Sequence, residues 1–193
     1  MSFIILCGIK HCGKSTQAKL LSEHLKCNYF DTDDVITKLT GKNPRQIYTE
    51  NGKEAFMRQE YLACNKIIYD TPDEFAIVAT GGGICNNNAA IEVLQKGGKL
   101  VFLESEESIA ADRIVQEMTV DKDGSIKNLP AYIAKLNPQN ESDVRKCFHS
   151  FFEERTRIYK QIADLCIQMH SGTKEENMLK ILDACKKAGF IDS

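Results

Sequence analysis

The stretch that most restricts how this chain can fold is "FIILCGIKHCGKSTQAKLLSEHL", residues 3–25. Its unbroken apolar run, Phe3–Cys7, reads as a strand covered on both faces, and the residues after the turn read as a helix. Between them stand Gly8, four residues, then Gly13, Lys14 and Ser15. Glycines at both ends let the backbone turn tightly with its N–H groups pointing inward, and the helix that follows adds its positive end. A loop of this kind grips phosphates. Lys14 reaches the β- and γ-phosphates of a nucleotide and the Ser15 hydroxyl ligates Mg²⁺, with Gly8, His11, Cys12, Gly13 and Thr16 as further contacts. The loop says what is held and leaves open what receives the phosphoryl group.

The rest of the chain alternates strands and helices. "NYFD" reads as a short second strand and "DDVITKLTG" as a helix stopped by Gly41; Pro44 opens a turn, and "KEAFMRQEYLACNKIIY" is a long amphipathic helix. "FAIVAT" and "KLVFLE" are strands with "AAIEVLQK" helical between them. "SIAADRIVQEM" and "VRKCFHSFFEERTRIYKQIAD" are helices, "LCIQM" is a last strand, and "EENMLKILDACKKA" is a closing helix. Five strands with intervening helices predict an α/β fold: a five-stranded parallel sheet with helices on both faces, in a single domain over residues 1–193.

Composition excludes several function classes. With 42% hydrophobic and 27% charged residues the chain matches an ordinary soluble globular protein. A net charge of −2 leaves no footprint for nucleic acid or an anionic membrane, and no apolar run approaches a membrane span or a secretory leader. The eight cysteines have no Cys-x-x-Cys spacing and read as reduced thiols of a cytoplasmic protein. One segment breaks the rhythm. Residues 119–143, "TVDKDGSIKNLPAYIAKLNPQNESD", are polar with two prolines and little periodicity. In a phosphoryl-transfer enzyme such a stretch serves as a lid excluding water; in any other protein it is a surface insertion.

Two places carry clues to the acceptor. In "FDTDD", Asp31 and Asp33 stand at the C-terminal end of the second strand, where ligands bind in parallel α/β sheets. One carboxylate there can hold Mg²⁺ through water, and another can take a hydroxyl proton; Asp34 is the expected solvated or capping member. In "VATGGGI", Gly81, Gly82 and Gly83 follow a strand directly, which lets backbone come close to a ligand.

Together these motifs resemble the shikimate kinase family. "GIKHCGKST", "FDTDDVI", "GKEAFMRQE", "ATGGGI" and "ERTRIYKQIAD" follow that family's motifs in order across residues 3–190. The resemblance implies a P-loop kinase type of fold that passes the γ-phosphate of ATP to a ring hydroxyl of a small metabolite. It implies that Lys14 and Ser15 serve ATP and Mg²⁺, with Asp31 near the metal. Asp33 would hold the acceptor hydroxyl, Gly82 would contact the acceptor, Arg155 would grip its carboxylate, and Arg113 would lie against the adenine. Three departures stand out. Met57 replaces the arginine of the family's F-R-x-x-E stretch, which pairs with the acceptor carboxylate; Arg58 is one step on, about 100° round the helix. Lys127, in "KNLP", stands in for the lid arginine as a catalytic cation, and His11 replaces a loop glycine. Glu60, one turn beyond Met57, is expected to hydrogen-bond Arg155 and fix its orientation.

The acceptor is therefore shikimate with a rearranged clamp, or another small hydroxylated metabolite; a nucleotide-binding protein without transfer is the remaining alternative. The expected partner is that small molecule alone, with no nucleic acid or membrane, and the expected state is a monomer.

Overall fold

The computed structural model describes residues 3–71, 74–122 and 124–192. The chain runs through β1 (Phe3–Cys7), α1 (Lys14–Leu25), β2 (Asn28–Asp31), α2 (Thr32–Thr40), α3 (Pro44–Asp70) and β3 (Ala76–Ala79). A 3₁₀ turn, Ile84–Asn86, leads to α4 (Asn88–Gly97), β4 (Gly98–Glu104) and α5 (Glu107–Glu117). Then come β5 (Thr119–Val120), β6 (Ile126–Lys127), α6 (Ala131–Ala134), α7 (Glu141–Ile162), β7 (Leu165–Gln168) and α8 (Lys174–Lys187).

Five strands form one parallel sheet in the order β2-β3-β1-β4-β7. Every residue of β1 and β3 is buried, which requires cover on both faces of the sheet and explains why these strands read as continuous apolar runs. The main core is a cluster around Ile5, Leu6, Ile77, Val78 and Leu100, with Phe102 stacked on Tyr159 at 5.1 Å between ring centres, and a smaller cluster of Ile36, Ile47 and Ala63 packs α2 on α3. Because the strand order reverses at β1, the loops leaving β1, β2 and β3 emerge side by side at the C-terminal edge.

The structure departs from the sequence reading in three places. Pro44 opens a helix rather than a turn: it occupies the first helical position, where no N–H is needed, behind a capping box made by Asn43 and Gln46. Gly52, at φ 86°, then breaks the helical path, so α3 is two helices joined at a kink. Asp34 lies exposed in the first turn of α2, the solvated member of the sequence reading, and the cap is Asp31, whose side chain accepts from the Asp33 N–H. Finally, residues 119–143 are built rather than irregular, although residue 123 lies outside the described residues. β5 and β6 pair as an antiparallel hairpin, and Leu129 and Ile133 anchor α6 in the main core.

Candidate active site

Two cavities open at the C-terminal edge of the sheet. The smaller, of about 250 Å³, is lined by the loop after β1 together with Asp31, Asp33 and residues 80–82. A side chain at Gly8 would come within 2.8 Å of both Cys12 Sγ and the Leu103 carbonyl, so the turn admits only glycine. His11 sits at φ 67°, the left-handed conformation that a glycine would adopt freely. Its strain is offset by anchoring: its carbonyl accepts from Arg113, and Nδ1 is 3.5 Å from Glu117 Oε1. Burial lowers the His11 pKa and Lys10 adds to the effect, with Glu117 opposing. Lys14 is buried and its Nζ donates to the Ile9 carbonyl at 2.8 Å, close to Cys12 Sγ at 3.7 Å. Ser15 Oγ donates to Asp31 Oδ2 at 2.7 Å, joining the start of α1 to the end of β2.

The larger cavity, of about 620 Å³, lies against α3, α6 and α7. Met57, Gly82, Arg155 and Asp33 all line it, so the structure brings the expected acceptor residues together. Four aromatic side chains line it, Tyr48 and Phe56 from α3, Tyr132 from α6 and Phe151 from α7, together with the cations Lys10, Arg45, Lys53, Lys135 and Arg155. Arg155 is 8% exposed. Its guanidinium carbon lies 4.1 Å over the Tyr132 ring and 5.5 Å from that of Phe151, and Nη1 donates to the Gly82 carbonyl at 3.4 Å.

Two carboxylates meet between these walls. Asp33 Oδ1 is buried without a hydrogen-bond partner; burial pushes its pKa up to about 6, Asp31 adds repulsion and Lys14 pulls the other way. Glu60 does not bond Arg155, contrary to the sequence expectation. Its Oε2 accepts instead from Asn87 Nδ2 at 2.9 Å, because Asn87 caps α4 directly beneath it, and Oε1 has no partner. Burial pushes Glu60 up to about 7; the Asn87 hydrogen bond and Arg155 oppose this, and Asp33 reinforces it. A side chain at Gly81 would lie 3.1 Å from Glu60 Oε1 and 3.2 Å from Asp33 Oδ1, so both unpartnered oxygens face the same glycine.

Other expected residues fall outside the cavities. Arg58 is exposed and lines neither. Lys127 is exposed on β6, also lining neither, and Arg113 lies beside the nucleotide loop through its bond to His11. Sequence reasoning missed Lys10, which lines both cavities, and Tyr132, which an irregular lid would not have presented. Lys10 occupies an unspecified position of the loop pattern, so the motif itself gives no signal for it.

Comparison with known proteins points to one family. The family profile described as shikimate kinase matches residues 10–186. A shikimate kinase of Clostridium beijerinckii is 29% identical over 165 residues, 86% of this chain and 84% of that protein. One from Clostridium botulinum is 30% identical over 147 residues, 76% of this chain and 84% of that protein. Among solved structures, shikimate kinase of Aquifex aeolicus superposes with a TM-score of 0.71 at 25% identity, covering 97% of this chain and 98% of that one. The fold is shared with shikimate kinase of Acinetobacter baumannii in complex with shikimate, at a TM-score of 0.78 and 24% identity over 99% of this chain and 96% of that one.

Proposed function

Because the chain belongs to the shikimate kinase family of ATP-dependent phosphotransferases with an alcohol acceptor, we propose that it phosphorylates a ring hydroxyl of shikimate. The observation that carries this reading is the shared wall of the two cavities: Asp33 and Gly82 line both, so a nucleotide in one faces an acceptor in the other. Lys14 and the loop N–H groups hold the β- and γ-phosphates. Asp33, ionised above a pKa of about 6, accepts the acceptor hydroxyl's proton as that oxygen attacks phosphorus. Arg155 takes the acceptor's carboxylate, its guanidinium already held by Gly82, Tyr132 and Phe151.

The donor set suits Mg²⁺. Ser15 Oγ and Asp31 Oδ2 meet at 2.7 Å at the mouth of the phosphate cavity, and hard oxygen donors of this number leave room for phosphate oxygens and water. Bound there, Mg²⁺ would neutralise charge on the phosphates. One chain supplies both cavities, so the monomer is the functional unit of this reading. All eight cysteines are free, which fits a reducing compartment such as the cytoplasm, and no helix among the described residues is long and apolar enough to cross a membrane.

Met57 favours a second reading, an acceptor without a carboxylate at that end. ADP release measured over acceptors with and without a ring carboxylate decides between the two. Release that depends on shikimate is the expected result. Release with an uncharged polyol instead would transfer the activity to the second reading, and release independent of any acceptor would overturn both.

A further inference from the structure

Three residues line both cavities: Asp33, Gly82 and Lys10. The phosphoryl group leaves one cavity and arrives in the other, so it must pass these three. Asp33 is negative and Gly82 offers backbone only, which leaves one cation at the crossing. Lys10 is fixed there by its main chain. A side chain at Gly82 would come within 2.7 Å of the Lys10 backbone nitrogen, so the two segments are packed as closely as glycine permits. Its ammonium makes no hydrogen bond or ion pair with any described residue. Lys14 serves the phosphates on the nucleotide side and lines only that cavity, and Lys127 lines neither. By surface area Lys10 is exposed, yet it is exposed into the two cavities, and the protein around it lowers its pKa; Glu117 opposes the shift, Arg45 adds to it and Asp33 opposes it.

We propose that Lys10 is a further catalytic residue, the cation that neutralises the phosphoryl group as it crosses from nucleotide to acceptor. The proposal rests on the kinase reading above but not on the identity of the acceptor. During transfer the bond between Pγ and the ADP oxygen breaks, the bond from the acceptor oxygen to Pγ forms, and the hydroxyl proton passes to Asp33. Lys10 keeps its own proton throughout and contributes charge alone. That charge is most valuable where the equatorial oxygens are shared between the two cavities, which is the transition state rather than either ground state.

The test is Lys10→Met, which keeps the length of the side chain and removes the charge, with Lys10→Arg as the conservative control. Steady-state turnover should fall about 10²–10³-fold in Lys10→Met, the range for loss of one preorganised transition-state donor, with the KM values for ATP and acceptor little changed. Lys10→Arg should restore most of it. A second measurement needs no acceptor: calorimetric binding of ADP, Mg²⁺ and aluminium fluoride, whose planar anion occupies the crossing. Lys10→Met should bind ADP alone as the parent does and lose the fluoride-dependent gain in affinity. If Lys10→Met raises KM at unchanged kcat, or traps aluminium fluoride as tightly as the parent, the proposal is overturned. A parent that traps the anion yet ignores shikimate would refute the acceptor assignment and leave Lys10 in place. A parent that fails to trap it would refute the crossing and the role of Lys10 together.

Discussion

Replacing Met57 with arginine tests how this cavity holds the acceptor's negative end. Met57 lines the cavity beside Arg155, and Glu60 lies three residues on, on the same face of α3. An arginine here would add a further cation on the cavity wall that holds Arg155. A charge-assisted hydrogen bond of this kind contributes about 1.5–3 kcal/mol, roughly 10- to 100-fold in affinity. The new guanidinium would also find Glu60 Oε1, which has no partner in the parent. An opposite charge at that range lowers a carboxyl pKa by about 1–3 units, so Glu60 should ionise well below its present value. The assay is coupled ADP release at saturating ATP, with shikimate varied. Met57→Arg should lower the KM for shikimate 10- to 100-fold with kcat little altered, because the added contact is made equally in ground and transition states. An acceptor lacking the carboxylate should gain nothing. A KM within twofold of the parent for every acceptor would refute the reasoning, since it would mean that residue 57 does not meet the acceptor's charged end.

Two further outcomes follow from the buried carboxylates. With Asp33 held up to about 6, kcat/KM should rise with pH through that value and level off above it. Asp33→Asn should abolish this limb and lower kcat by about 10²-fold or more while ADP binding persists; a fully active variant would remove Asp33 from the reaction. Glu60 is raised from 4.5 to about 7, so between those values the native protein holds a proton that the unfolded chain has released. Stability therefore falls as pH rises through this window, by at most about 3 kcal/mol for a shift of this size. Glu60→Gln should match the parent in Tm near pH 4 and exceed it at pH 8; equal Tm values at both would show that Glu60 titrates normally.

The central strands of this fold were legible because a buried parallel strand has nowhere to place a polar side chain. Phe3–Cys7 and Ala76–Ala79 are apolar at every position, and both lie where the sequence places them. The phosphate loop was legible for a different reason: its geometry needs specific residues, and Gly8, Gly13, Lys14 and Ser15 are those residues. Where the reading failed, the deciding contact leaves no mark in the pattern of apolar and polar residues. Pro44 looked like a turn because its capping box depends on side chains whose direction no periodicity records. α6 escaped because four residues give barely one turn, and its fold is set by Ile133 and Leu129 entering the core. Glu60 was paired with Arg155 on spacing and charge, while Asn87, 27 residues away on another element, makes the bond.

On the proposed reading, the aromatic wall compensates for the absence of an arginine at position 57 by holding Arg155 in place. A flexible arginine loses rotamer freedom when it binds a carboxylate, and that loss weakens the contact. Here the freedom is already lost. Tyr132 covers one face of the Arg155 guanidinium, Phe151 lies 5.5 Å away, and the Gly82 carbonyl accepts from Nη1. Tyr132 comes from α6, within the segment that the sequence suggests is a cover for the nucleotide. Asn128 in the same segment accepts from Arg45 at 3.4 Å, and Lys135 lies 4.9 Å over the Tyr48 ring, so that cover is docked against the acceptor cavity instead. On the proposed reading, an acceptor carboxylate would meet in Arg155 a guanidinium already held by this aromatic wall, with Lys10, Arg45, Lys53 and Lys135 also lining the cavity.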